Sequence, residues 1–173
     1  MTFSSQDNFH DDREKCLEHA VNFLERRQHS EVEIVRKLRQ RGYSEKTVSA
    51  TIDELKRLNL IDDLQFAMSL IREKLLYTSR PVGRRKIYQD LARRGVPRET
   101  ISAAWREAEE EEFEQSEEER ALRAARQKIK LIHDHRDLRK VREKLYRHLA
   151  GRGFDSESVR SAVERVLAGE AEE

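Results

Sequence analysis

The chain repeats itself three times, and this constrains its fold more than any other property. The segments EIVRKLRQRGYSEKTVSATIDEL (33–55), KIYQDLARRGVPRETISAAWREA (86–108) and KLYRHLAGRGFDSESVRSAVERV (144–166) align without gaps. Each is anchored on a glycine, Gly42, Gly95 or Gly153, with spacings of 53 and 58 residues. Eight positions ahead of the glycine stands Ile34, Ile87 or Leu145, and four ahead stands Leu38, Leu91 or Leu149. Arg41, Arg94 or Arg152 precedes the glycine, and Tyr43, Val96 or Phe154 follows it. Val48, Ile101 or Val159 comes sixth after it.

Each position has a physical reason. Apolar residues four apart form one stripe of a helix. Glycine ends that helix because it enters the left-handed conformation without steric cost. The next helix starts almost at once, with Ser44 as N-cap in the first repeat and Asp155 in the third. Tyr43 with Val48, and Phe154 with Val159, then have the spacing of a hydrophobic staple. In the second repeat Pro97 falls at the cap position and is expected to serve as the first helical residue.

A further helix precedes each pair. The first is expected from about Asp12 to Arg27, with Leu17, Ala20, Val21 and Leu24 facing inward. The second is capped by Asp62 or Asp63 and carries the stripe Leu64, Ala67, Met68, Ile71 and Leu75. The third opens on a capping box of Ser116 and Glu119, followed by Leu122, Ala125, Ile129 and Ile132. Ser30 and Glu33 form another box ahead of the first repeat's middle helix. The expected organisation is a polar tail (1–11), three repeats (12–60, 61–115 and 116–168) and a short C-terminal tail (169–173). Long helices are expected to bridge neighbouring units, most clearly from Arg98 into the glutamates that follow.

Composition supports this plan. Charged residues make up 40% of the 173 positions, against about a quarter in an ordinary globular chain, and only 36% are hydrophobic. Such a chain cannot fill one large core, so its charges must lie on long solvated faces. Six glycines and two prolines are too few for a turn-rich β fold. The expected fold is therefore all-α: three tandem three-helix, helix-turn-helix-like repeats forming an elongated bent rod. Small units of this size are marginal alone and gain stability by joining in a row.

Several classes of function fall away. No stretch reaches the ~18 apolar residues of a membrane span, and the N-terminus lacks the basic start and apolar middle of a secretory signal. A cytoplasmic location is expected. Cys16 is the only cysteine, which removes disulfides and cysteine-rich zinc sites; it lies on its helix's apolar stripe and reads as a buried thiol. There is no phosphate-binding glycine loop, no GxSxG elbow and no HExxH helix. His133 and His135 stand two apart, so they point to different faces of a helix. Trp105 aligns with Ile52 and Val163 and reads as core. No enzyme activity, cofactor or metal is expected.

The net charge is only +1, yet the charges are blocked along the chain. Arg80, Arg84, Arg85, Lys86, Arg93, Arg94 and Arg98 crowd one stretch around a single Asp90. Nine glutamates and no basic residue fill 107–119, and eleven basic residues then face three acidic ones between Arg120 and Arg147. Such blocks can be solvated helix faces that pair along the rod. They can also form a basic surface for an acidic protein groove or a phosphate backbone. On the second reading Arg84, Arg85, Lys86, Arg93 and Arg94 on the middle helix of repeat two, with Arg152 at the turn of repeat three, are the candidate partner-binding residues. Most of the five on that helix are expected to be exposed, since Ile87 and Leu91 supply its buried stripe.

The two-helix unit with a glycine turn invites a second reading, a stand-alone helix-turn-helix-like nucleic-acid-binding protein. A balanced net charge and the lack of a dimerising coiled coil argue against simple operator reading. The segments LIDDLQFAMSLIREK (60–74), RPVGRRKIYQDLARRGV (80–96) and LRKVREKLYRHLAGRGFDSESVRSAV (138–163) point elsewhere. Together they resemble the RecX family, with Asp62, Asp63, Phe66, Ala67, Gly83, Ile87, Leu91 and Gly95 in order. The resemblance covers about residues 13–168. It implies a small bacterial regulator of tandem three-helix repeats that binds the RecA recombinase, chiefly as its filament on single-stranded DNA. Such a protein lies in the filament groove and inhibits ATP hydrolysis, strand exchange and co-protease activity. It has no enzyme activity of its own. A monomer that meets single-stranded DNA through the filament, and weakly alone, is expected.

Overall fold

Capping side chains and apolar stripes divide the chain into helices of three or four turns. The computed structural model describes residues 12–110, 116–133 and 137–169. The expected tail 1–11, Glu111, Glu112 and Glu114 of the acidic run, His135 and residues 170–173 lie outside the described residues. Among the described residues the elements are α1 (Arg13–Arg26), α2 (Glu31–Gln40), α3 (Glu45–Arg57), α4 (Asp63–Leu76), α5 (Arg84–Arg93), α6 (Arg98–Glu110), α7 (Glu117–Ile129), α8 (Leu138–Gly151) and α9 (Ser156–Leu167).

Caps account for most of these starts. Asp12, Ser30, Ser44, Asp62, Ser116, Asp137 and Asp155 each accept an N–H of the first turn on the side chain. Ser116 and Glu119 make the full reciprocal box. The box expected at Ser30 is only half formed. Ser30 accepts from the Glu33 N–H, but the Glu33 carboxylate turns away to Arg27 and Arg94. Pro97 is not the first helical residue. It takes the cap position itself, and its carbonyl accepts from the Ile101 N–H. Of the long helix expected to bridge units from Arg98 through the glutamates, α6 is described to Glu110 and packs on α4 and α5 of its own repeat, and the next repeat opens separately on the Ser116 cap.

The helices assemble as three separate cores. The first gathers Cys16, Ala20, Ile34, Leu38, Tyr43, Val48, Ile52 and Leu55. The second is built on Ala67, Ile71, Ile87, Leu91, Ile101 and Trp105, and the third on Ala125, Val141, Leu145, Leu149, Phe154 and Val163. The equivalent leucines Leu38, Leu91 and Leu149 are each wholly buried. Among the described residues, extensive helix packing occurs only within a repeat: α1 on α3, α4 on α6, α7 on α9, with the middle helix closing each bundle. Cys16 is wholly buried, and burial raises its thiol pKa.

The units are joined in the same way twice. The N-terminus of each middle helix sits on the glycine turn of the next repeat. At the first junction the Ser30 hydroxyl donates to the Arg94 carbonyl, and the Glu31 N–H donates to the Asp63 carboxylate at 2.9 Å. At the second the Gly83 N–H donates to the Arg152 carbonyl at 3.0 Å, and the Arg84 N–H donates to the Glu117 carboxylate at 3.2 Å. Asp63 and Glu117 are each the first residue of the next repeat's opening helix. Gly83 and Gly153 meet backbone to backbone: a Cβ on Gly83 would collide with the Gly153 carbonyl and the Phe154 nitrogen. Gly153 itself has a φ of 82°, the left-handed region open to glycine.

Candidate functional site

The basic residues marked in the sequence gather at and around the second repeat's middle helix. Arg84, Arg85 and Arg93 are exposed, while Lys86, Arg94 and Arg152 are half-buried. The guanidinium of Arg84 stacks 4.7 Å from the centroid of Trp105, a cation–π contact over a buried indole. Arg93 pairs with Asp90 in its own helix.

The other cations reach across the junctions. Arg85 donates to the Ala150 carbonyl at 2.7 Å, and the Lys86 backbone packs against Gly153. Arg94 donates to the Glu33 carboxylate at 3.1 Å and lies 5.8 Å from the Phe66 ring centroid. Arg152 donates to the Pro81 carbonyl at 2.9 Å and to His148 Nε2 at 3.0 Å. Replacing Arg85, Arg94 or Arg152 therefore acts on repeat packing as well as on surface charge. The six residues do not converge on one point: Arg94 belongs to the first junction, whereas Arg84, Arg85, Lys86 and Arg152 belong to the second.

The two junctions differ electrostatically. The first carries a buried counter-charge, since Glu33 lies between Arg27 at 3.0 Å and Arg94 at 3.1 Å. At the second the Glu117 carboxylate accepts from the Arg84 N–H, while the Arg85 and Arg152 guanidinium groups donate to main-chain carbonyls and form no ion pair among the described residues. Burial, then Arg152 and Lys128, depress the pKa of His148, so its ring is neutral and accepts from Arg152. Burial and the nearby Arg80 likewise disfavour the charged form of Arg152.

Tyr77 belongs to no motif of the sequence, yet it is 80% exposed at the end of α4. The available signal was an aromatic residue in the short polar stretch Tyr77–Pro81, outside both neighbouring helical stripes. Among the described residues no group of histidine, cysteine and carboxylate side chains could hold a metal ion, and no helix is long and apolar enough to cross a membrane.

Three cores in a row, each a helix pair turned on glycine and closed by a third helix, define a tandem helix-turn-helix repeat protein. The family descriptions that match name those same units. RecX first three-helix domain covers residues 16–55, the second domain 62–104 and the third 116–163. The chain belongs to the RecX family. Its relatives include the protein called regulatory protein RecX in Prosthecochloris aestuarii, 35% identical over 90% of this chain and 96% of that one. The regulatory protein RecX of Chlorobaculum tepidum is 30% identical over 92% of each chain. A crystal structure of RecX from Lactobacillus salivarius has the same fold, with a TM-score of 0.73 at 21% identity over 91% of this chain and 98% of that one.

Proposed function

We propose that this protein binds the RecA recombinase and its filament on single-stranded DNA, and inhibits ATP hydrolysis, strand exchange and co-protease activity. The observation that carries this reading is the match of all three RecX domains, in order, to the three folded units. The thin junctions support it. A row of separate small bundles can lay each unit on a different protomer of a polymer, so that modest contacts multiply through avidity. The protein acts in the cytoplasm as a monomer and by binding alone, without a catalytic step or cofactor. Its units are 12–60, 61–115 and 116–168, flanked by tails.

Arg84, Arg85, Lys86, Arg93, Arg94 and Arg152 form the surface offered to the filament. Their exposed members supply long-range attraction, which weakens as salt rises. The test is DNA-dependent ATP hydrolysis by RecA with this protein added below stoichiometric amounts. Turnover falls and filaments shorten, while the protein alone hydrolyses nothing. Unchanged turnover at saturating protein overturns the reading. A gel shift with duplex DNA at physiological salt, without recombinase, tests for stand-alone helix-turn-helix binding.

A further inference from the structure

The strap that links α4 to α5, residues 77–83, crosses the junction between the second and third repeats. It is gripped from α7 and α8 by side chains that take its carbonyl groups. Arg123 donates to Thr78 at 3.3 Å, Gln127 to Ser79 at 3.0 Å and Arg152 to Pro81 at 2.9 Å. The Thr78 hydroxyl and the Arg80 backbone close a small turn within it, at 3.2 Å in both directions. The strap's course is thereby fixed. What it leaves outward is Tyr77, 80% exposed, and the exposed side chain of Arg80.

Beside the strap lie Arg152, which reaches Pro81, and the neutral ring of His148 bonded to it; Lys128 follows Gln127, whose side chain holds Ser79, on α7. Their charges are felt by one another: Arg80 acts on Arg152, and Arg152 and Lys128 act on His148. Among the described residues no carboxylate forms an ion pair with Arg80, Lys128 or Arg152. This is unlike the first junction, where Glu33 answers two arginines. A fixed group of like charges without a counter-charge is relieved by an anion from outside.

The exposed tyrosine narrows the choice of anion. An acidic peptide brings carboxylates but no flat ring on each unit of its charged backbone. A duplex brings phosphates but keeps its bases stacked on one another. A single strand brings both, and cations along the backbone with an aromatic platform for a base are the recurring means of binding it. We propose that the strap of the second repeat and the α7–α8 face below it form a binding site for single-stranded nucleic acid. Backbone phosphates lie on Arg80, Lys128 and Arg152, and a base stacks on Tyr77. This rests on the reading above, in which the partner is a DNA-bearing filament, and it assigns the strand contact to the second junction.

The experiment uses the full chain and a fluorescein-labelled oligothymidylate, without recombinase, read by fluorescence anisotropy. The wild type binds, and affinity falls steeply with salt. Tyr77→Ala weakens binding by about 5-fold or more, as loss of one stacked base does, while Tyr77→Phe binds like the wild type. Arg80→Ala and Lys128→Ala each flatten the dependence on log salt by about 0.7, the share of one phosphate contact on a single strand. Unchanged melting curves show that the variants are folded. Three results overturn the site: no binding by the wild type, equal binding by folded Tyr77→Ala, or equal displacement by poly-glutamate or a duplex hairpin. RecA ATP hydrolysis, measured with the same proteins, separates the two claims. Inhibition by a wild type that ignores the free strand leaves the filament reading standing without this site. Tyr77-dependent strand binding without inhibition leaves the site standing without that reading.

Discussion

Glu33 shows how one side chain can serve two purposes that its position in the sequence does not separate. It stands three residues after Ser30, the spacing of a capping box, and its N–H is capped as expected. The carboxylate, 5% exposed as a residue, instead joins Arg27 of its own repeat to Arg94 of the next. Burial pushes its pKa up, but the two guanidinium groups outweigh this and hold it below the ordinary glutamate range. A carboxyl depressed by folding adds stability that is fully present above its unfolded value of about 4.3 and is lost as pH falls through the folded value. Melting temperature should therefore drop on acidification below about pH 4–5, and Glu33→Gln should flatten this part of the curve. At neutral pH the same variant should cost about 1–3 kcal/mol, because it weakens charge-assisted bonds at a buried site whose arginine partners are partly solvated. Thermal melts of both proteins across the acid range check this.

At the scale of elements, the three middle helices present the same core position to three different cores. Leu38→Ala, Leu91→Ala and Leu149→Ala should each cost about 2–5 kcal/mol, since each removes a wholly buried side chain. The cores share no side chains, so paired variants should add to within about 0.5 kcal/mol; urea unfolding of single and double variants measures this. These leucines were legible in the sequence because helical periodicity and the glycine anchor are local signals, repeated three times. The staples Tyr43–Val48 and Phe154–Val159 were legible for the same reason. The junctions were not. Ser30 meets Arg94 and Arg85 meets Ala150 across more than sixty positions, and no period links them. Gly83 could be read as a turn residue, whereas its distinctive role is the close approach of Gly153. The blocked charge showed where basic residues crowd along the chain. It could not show that several of its arginines are tied across junctions, or that the tyrosine beside Arg80 points to solvent.

For the whole molecule, the balance between tied and untied cations decides which substitutions report on binding. Arg93 pairs only within its own helix, and the Lys86 side chain forms no ion pair among the described residues. Changing both to Glu should keep the helical signal while weakening attachment to a pre-formed recombinase filament by about tenfold at moderate salt. The wild-type affinity should also fall as salt is raised. Anisotropy on filaments, paired with circular dichroism, measures both; a folded double variant with full affinity would move the contact elsewhere.

The doubled junction has a geometric consequence. The head-to-tail contact is made twice by equivalent elements, with a hydroxyl donating to the turn in one and a backbone N–H in the other, so one kind of joint serves both steps. Each step sets one three-helix bundle on the next where an N-terminal turn of helix meets a glycine turn. Adding or removing a bundle changes the reach of the chain without calling for a new kind of joint.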